Sequence, residues 1–71
     1  MTLRDIENNF TYHSPTTTQV DLYRALRDKG RELAELIYDL CPTSRERSVA
    51  FTKVEESVMW ANASIARDPD E

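Results

Sequence analysis

The sequence predicts an all-α protein: a short N-terminal helix, then a long antiparallel helical hairpin that must associate with further copies of itself. Three observations predict this. Apolar residues recur at spacings of three and four along two long segments. Only four residues, Cys41 to Ser44, join those segments, and a connection that short forces antiparallel neighbours. The chain has 71 residues, too few for a secure private core.

Residues 1–17 read as an N-terminal helix and loop. Thr2 to Phe10 form the helix, with Leu3, Ile6 and Phe10 on one face. A polar stretch from Thr11 to Gln19 follows and contains Pro15. Residues 18–40 read as the first long helix, with Tyr23, Leu26, Gly30, Leu33, Ile37 and Leu40 as its apolar stripe. Thr18, followed three residues later by Asp21, suits its N-terminal cap. Gly30 falls on the stripe, where a glycine costs about 1 kcal/mol relative to alanine. Two readings fit it equally: a close approach by a neighbouring backbone or ligand, or a tolerated glycine.

Pro42 stops the first helix. Residues 44–67 read as the second, with Thr43 and Glu46 in the capping-box pattern and Phe51, Val54, Val58, Ala61 and Ile65 as the apolar stripe. Each helix would be about 35 Å long at 1.5 Å per residue. In such a hairpin, residues whose numbers sum to about 84 stand level. A second stripe of small residues, Ala50, Ser57, Ala61 and Ser64, is flanked by Val49, Trp60 and Ala63. A two-helix hairpin buries one stripe of each helix within its own chain, so this surplus calls for another subunit. Residues 68–71 are an acidic tail.

Composition narrows the function. The single cysteine, Cys41, cannot form a disulfide within the chain. One Cys and one His cannot supply the four protein ligands of a zinc site, so no metal and no cofactor is expected. Self-association is the remaining way to stabilise so small a chain. The formal net charge of -4 speaks against a protein that coats DNA or RNA. No apolar run approaches the length of a membrane span, and the opening Met-Thr-Leu-Arg-Asp-Ile lacks a signal-peptide core. A lone cysteine suits a reducing compartment. The expectation is a cytoplasmic protein with no membrane partner.

Residues for catalysis are sparse. His13 has no nucleophile partner in view and reads as structural. Cys41 reads as a buried, inert thiol. Glu55 and Glu56 are adjacent, about 100° apart on a helix, and form no carboxylate pair. The basic residues say more. Arg24, Arg27, Lys29 and Arg31 stand against only Asp28 between residues 24 and 31. Level pairing gathers Arg27, Lys29, Arg31, Thr52 and Lys53 at mid-hairpin, and Tyr12, His13 and Arg67 at the far end. Cations and hydroxyls beside an aromatic suit a nucleotide, with phosphate on the cations and a base on the ring. On spacing alone, ordinary surface pairs with Asp28, Glu32 and Glu35 are the stronger reading. Trp60 likewise reads first as core or interface, and second as a ligand platform.

Longer runs bear on that choice. They are Cys41-Pro42-Thr43-Ser44-Arg45-Glu46-Arg47-Ser48 and Phe51-Thr52-Lys53-Val54-Glu55-Glu56-Ser57-Val58-Met59-Trp60-Ala61-Asn62, continuing to Arg67. With Phe10-Thr11-Tyr12-His13-Ser14-Pro15 and Tyr23 to Ala34, they resemble the helical-hairpin family of bacteriophage anti-CBASS sponges, over nearly the whole chain. The resemblance implies a compact hexamer of hairpins. It implies a viral immune-evasion protein that holds cyclic dinucleotides and cyclic trinucleotides without cleaving them, in the cytoplasm of an infected bacterial host. A related hairpin occurs in sponges for the cyclic ADP-ribose signals of Thoeris defence. By the same resemblance, Tyr12 matches the aromatic that stacks on a base, and at least one of Arg27, Lys29 and Arg31 matches a phosphate-binding cation. Thr52, Lys53 and Arg67 fall in the matching second-helix motif as pocket or interface residues. Gly30, Phe51 and the acidic tail depart from the family pattern, which leaves ligand preference open. Outside the resemblance stand two rivals: a small helical protein-interaction module, and a phosphodiesterase-like enzyme, which would need an acid-base pair or metal site.

Overall fold

A computed structural model describes residues 1–68. Of the acidic tail, Pro69, Asp70 and Glu71 lie outside the described residues. Three helices follow in chain order: α1 (Leu3–Asn9), α2 (Thr17–Leu40) and α3 (Arg45–Ala66), with no strand among the described residues.

Thr2 caps α1. Its backbone N–H donates to Asp5 Oδ2 at 3.0 Å, and the Asp5 N–H donates back to Thr2 Oγ1 at 3.1 Å. The Thr2 backbone N–H, then the Thr2 hydroxyl, hold the Asp5 carboxyl below its ordinary value. A carboxyl whose folded value is depressed adds stability above the usual carboxylate range and loses it as pH falls through that range. Phe10 closes the helix on the Ile6 carbonyl. Leu3 and Phe10, on the expected apolar face, are each 85% exposed. Within one chain, those two side chains are left uncovered, and Ile6 of the same face is 42% exposed.

The caps of both long helices differ from expectation. Thr16, not Thr18, caps α2: its Oγ1 accepts from Gln19 N–H at 3.1 Å, and its own N–H donates to Gln19 Oε1 at 3.0 Å. Three threonines in a row offer three possible starts. The one chosen has a glutamine three residues on, able to reach back, and follows Pro15 directly. Gln19 also donates through Nε2 to the Ile65 carbonyl of α3 at 3.3 Å. It is the one buried residue among those described, at 6% exposure. For α3 the cap is Ser44, not Thr43. Ser44 Oγ accepts from Arg47 N–H at 3.1 Å and donates to the Pro42 carbonyl at 3.1 Å, which ties the cap to the turn. The third helical residue is then Arg47, so Glu46 has no place in a reciprocal box.

Arg47 secures the closed end of the hairpin. Its Nη1 donates to the Tyr38 and Cys41 carbonyls at 3.4 and 3.2 Å. Its guanidinium lies 4.9 Å from the Tyr38 ring centroid and 5.5 Å from that of Phe51. A cation there satisfies carbonyls at the negative end of α2 and stacks on two aromatic faces. Cys41 caps α2 through its N–H to Ile37 and is exposed. The expected buried thiol is therefore wrong: the turn lies at the tip of the hairpin, where nothing covers it.

α2 and α3 pack antiparallel in the expected register, with Gln19 reaching Ile65 at one end and Tyr38 reaching Arg47 at the other. Tyr23, Leu26, Gly30, Ala34 and Ile37 of α2 meet Phe51, Val54, Val58, Ala61 and Ile65 of α3, all half-buried. The α3 stripe is as expected. On α2, Ala34 stands where Leu33 was expected, and Leu33 and Leu40 are exposed. The inner line follows 3.6 residues per turn, and Leu33 and Leu40 fall to one side of it. No apolar side chain is fully buried among the described residues. Gly30 permits a close approach: a β-carbon there would lie 2.6 Å from Val58 Cγ2.

Two outcomes follow. Gln19→Ala removes a buried side chain that caps one helix and holds another, and should cost about 1–3 kcal/mol, seen as a lower thermal midpoint by circular dichroism; an unchanged midpoint would make both bonds dispensable. Gly30→Ala should fail to gain the roughly 1 kcal/mol that helix propensity offers, because the stiff Val58 cannot yield. In a Val58→Ala background the same change should be better tolerated. A higher midpoint for Gly30→Ala alone would refute the tight contact.

Candidate functional site

The Gly30–Val58 contact divides the hairpin surface into two open grooves. Arg27, Arg31, Ala34, Glu55 and Met59 line one. Leu26, Lys29, Leu33, Lys53, Ser57 and Ala61 line the other. Gly30, Val54 and Val58 belong to both.

This separates residues that level pairing had gathered. Arg27 and Arg31, four apart, share a flank of α2. Lys29 lies between them in sequence but about 200° around the helix from either, so it joins Lys53 on the opposite groove. Lys29 pairs with Glu32 at 3.1 Å, Arg31 with Glu35 at 3.7 Å and Lys53 with Glu56 at 3.3 Å. All three pairs are solvent-exposed, and such pairs contribute little and exchange readily. Arg27 makes no ion pair among the described residues. Thr52 donates its hydroxyl to the Ser48 carbonyl at 3.2 Å.

The far end does come together, through Asn8. Asn8 Nδ2 donates to the Arg67 carbonyl at 2.9 Å. The Asn8 carbonyl accepts from His13 Nε2 at 2.8 Å, which places the proton on that nitrogen. Asn8 thus fastens α1 to the end of α3, His13 holds the following loop onto α1, and Arg67 also closes α3 through its N–H. Tyr12, one residue away, is 83% exposed. Arg27 lies ten residues into α2, about 15 Å from its start. Within one chain, Tyr12 and the arginine pair therefore stand at different levels.

Four polar residues that the structure brings forward were not singled out from sequence as site or anchor residues. Gln19, Asn8 and Arg47 hold the fold. The signal for Gln19 was present as Thr16-Thr17-Thr18-Gln19, a threonine with glutamine three residues on. The fourth is Asn62, whose Oδ1 is buried and lacks a hydrogen-bond partner among the described residues. Helical spacing puts it on the same flank of α3 as Glu55 and Met59. A buried acceptor without a donor is rare and calls for one.

A family model for the Acb2/Tad1 hairpin domain matches residues 2–66. The chain belongs to the Acb2/Tad1 hairpin-domain family. That is the family of anti-CBASS and anti-Thoeris sponges, and membership implies a phage nucleotide-sponge role. Sponges of this family are binding proteins and are not known as enzymes. No curated protein and no solved structure matches the chain. Among the described residues, no helix is long and apolar enough to cross a membrane.

Proposed function

We propose that this protein binds and sequesters cyclic di- and trinucleotide second messengers without cleaving them, and so blocks CBASS-type defence in the cytoplasm of an infected bacterial cell. The observation that carries the reading is the Acb2/Tad1 match over residues 2–66. The working form is a homo-oligomer, a hexamer by family resemblance. Tyr12 stacks on a base, and Arg27 and Arg31 hold phosphate from the flank they share. Glu55 on the same groove accepts from the amino group of a base. Lys29, Lys53, Thr52, His13 and Arg67 form the second rank of candidates. Because Tyr12 and Arg27 stand at different levels of one hairpin, the pocket takes them from different chains. Arg27, which makes no ion pair among the described residues, puts a free cation on that flank, and the local field governs an anion site even in a net-acidic chain.

The family also covers anti-Thoeris sponges, so cyclic ADP-ribose-type signals are the second ligand class. Calorimetric titration with a cyclic dinucleotide, a cyclic trinucleotide and a cyclic ADP-ribose separates the two. Heating the complex should then release intact ligand; linear product would mean an enzyme, and failure to deplete any of the three would remove the sponge reading. Stacking contributes about 1–3 kcal/mol per base, and each 1.4 kcal/mol is a decade of affinity. Tyr12→Ala should therefore weaken binding about tenfold or more. Arg27→Ala should do similar damage and flatten the salt dependence, while the oligomer mass holds. Parent-like binding by Tyr12→Ala, Arg27→Ala and Arg31→Ala would move the site to Lys29, Thr52, Lys53 and Arg67.

A further inference from the structure

Leu22, Leu26, Lys29, Leu33, Leu36 and Leu40 of α2 follow one another at spacings of four, three, four, three and four. That is the spacing of a coiled-coil seam, with Lys29 as its one polar position. The seam is not the one α3 covers. At 100° per residue it is centred about 80° around α2 from the inner stripe, with Leu26 at the border. Its leucines face outward: Leu22 is 44% exposed, Leu33 48%, Leu36 52% and Leu40 73%. A groove runs along it, from Leu22, Ala25 and Ile65 through the shared Leu26 and Lys29 to Leu33. Ser57 and Ala61 of α3 border that groove, small enough to let a helix lie close.

We propose that this seam pairs antiparallel with the same seam of a second copy of the chain, with the Lys29–Glu32 pairs of both copies meeting at the two-fold axis. The proposal rests on the homo-oligomer reading above and names its interface. Area supports it. The lone chain exposes 5997 Å², against about 4,500 Å² for a compact chain of this mass. That excess of roughly 1,500 Å² compares with about 800 Å² covered per partner in a standard interface.

Charge sets the orientation. A parallel, in-register pair would press Lys29 against the partner's Lys29. An antiparallel pair centred at residue 31 sets Leu22 opposite the partner's Leu40, Leu26 opposite its Leu36, and Lys29 opposite its Leu33. Every leucine of the seam then has an apolar or alkyl surface across from it. Each Lys29 ammonium comes beside the partner's Glu32, one position from its Leu33. The exposed Lys29–Glu32 pair at 3.1 Å becomes half of a four-charge cluster of zero net charge. A helix of unrelated sequence would not supply that self-complementary pattern. The seam also assigns Lys29 to the interface and leaves the Arg27/Arg31 flank to the ligand.

The test uses light scattering and crosslinking on the full chain at micromolar concentration. Leu36→Lys should lower the parent mass at least twofold, with helix content by circular dichroism retained. In a Cys41→Ser background, a short bis-maleimide should link chains of the double variant Leu26→Cys/Leu36→Cys, because those positions face each other between copies. Within one helix they are about 15 Å apart, out of its reach. Neither single cysteine variant should crosslink. A parent that is already a monomer removes both the seam and the oligomer reading. An oligomeric parent whose mass survives Leu36→Lys overturns the seam and leaves self-association standing. Crosslinks from single-cysteine variants would show parallel pairing and overturn the proposed orientation.

Discussion

At Gly30, Val58 of α3 occupies the space a side chain would need, and this contact shapes the rest of the hairpin. It draws two long helices together along a narrow line of half-buried residues. A line that narrow covers only one side of each helix. It leaves a groove on either flank, and it separates residues that are close in sequence but on different sides of the contact. The same narrowness explains why the described residues include no fully buried apolar side chain. A fold of this kind cannot rest on a core within one chain, so its polar residues carry unusual weight.

Those residues sit at the ends. Gln19 caps α2 and holds Ile65. Asn8 joins Arg67 to His13. Arg47 closes the turn between Tyr38 and Phe51. Each satisfies backbone groups that a helix terminus leaves without partners. Polar side chains committed to the fold are poor candidates for a ligand. Among the side chains not so committed are the exposed Tyr12 ring and the two arginines on one flank of α2, and these lead the proposed site.

The hairpin was legible in sequence because its signals reinforce one another: the α3 stripe at three-four spacing, Pro42, and a turn too short for anything but antiparallel helices. Cap positions were not, because Thr16 to Thr18 and Thr43-Ser44 each present several competent residues. Gln19 and Pro15 select Thr16, whereas between Thr43 and Ser44 the course of the turn decides. Leu33 was misplaced for a related reason. α2 carries two apolar lines that share Leu26, and a single stripe drawn through Leu33 and Leu40 mixes them. The mid-hairpin cations divide by angle between the two grooves. Arg27, Lys29 and Arg31 look like one group in the sequence, but residues two apart do not face each other on a helix. Membership of the sponge family was legible over nearly the whole chain. Which side chains meet the ligand was not, since that depends on surfaces a single chain only half builds.

In the proposed reading, the two flanks of α2 have different partners. The leucine flank takes a second copy, and the arginine flank takes an anion. Splitting them this way lets a net-acidic chain of 71 residues do both without placing cations in its own interface, apart from Lys29, which Glu32 balances. It also ties the two events together. If Tyr12 and Arg27 reach one ligand from different chains, the pocket exists only in the assembled form. A ligand that binds only the assembly then stabilises it by mass action. Apparent affinity falls as the protein is diluted below its association range, although no contact to the ligand has changed.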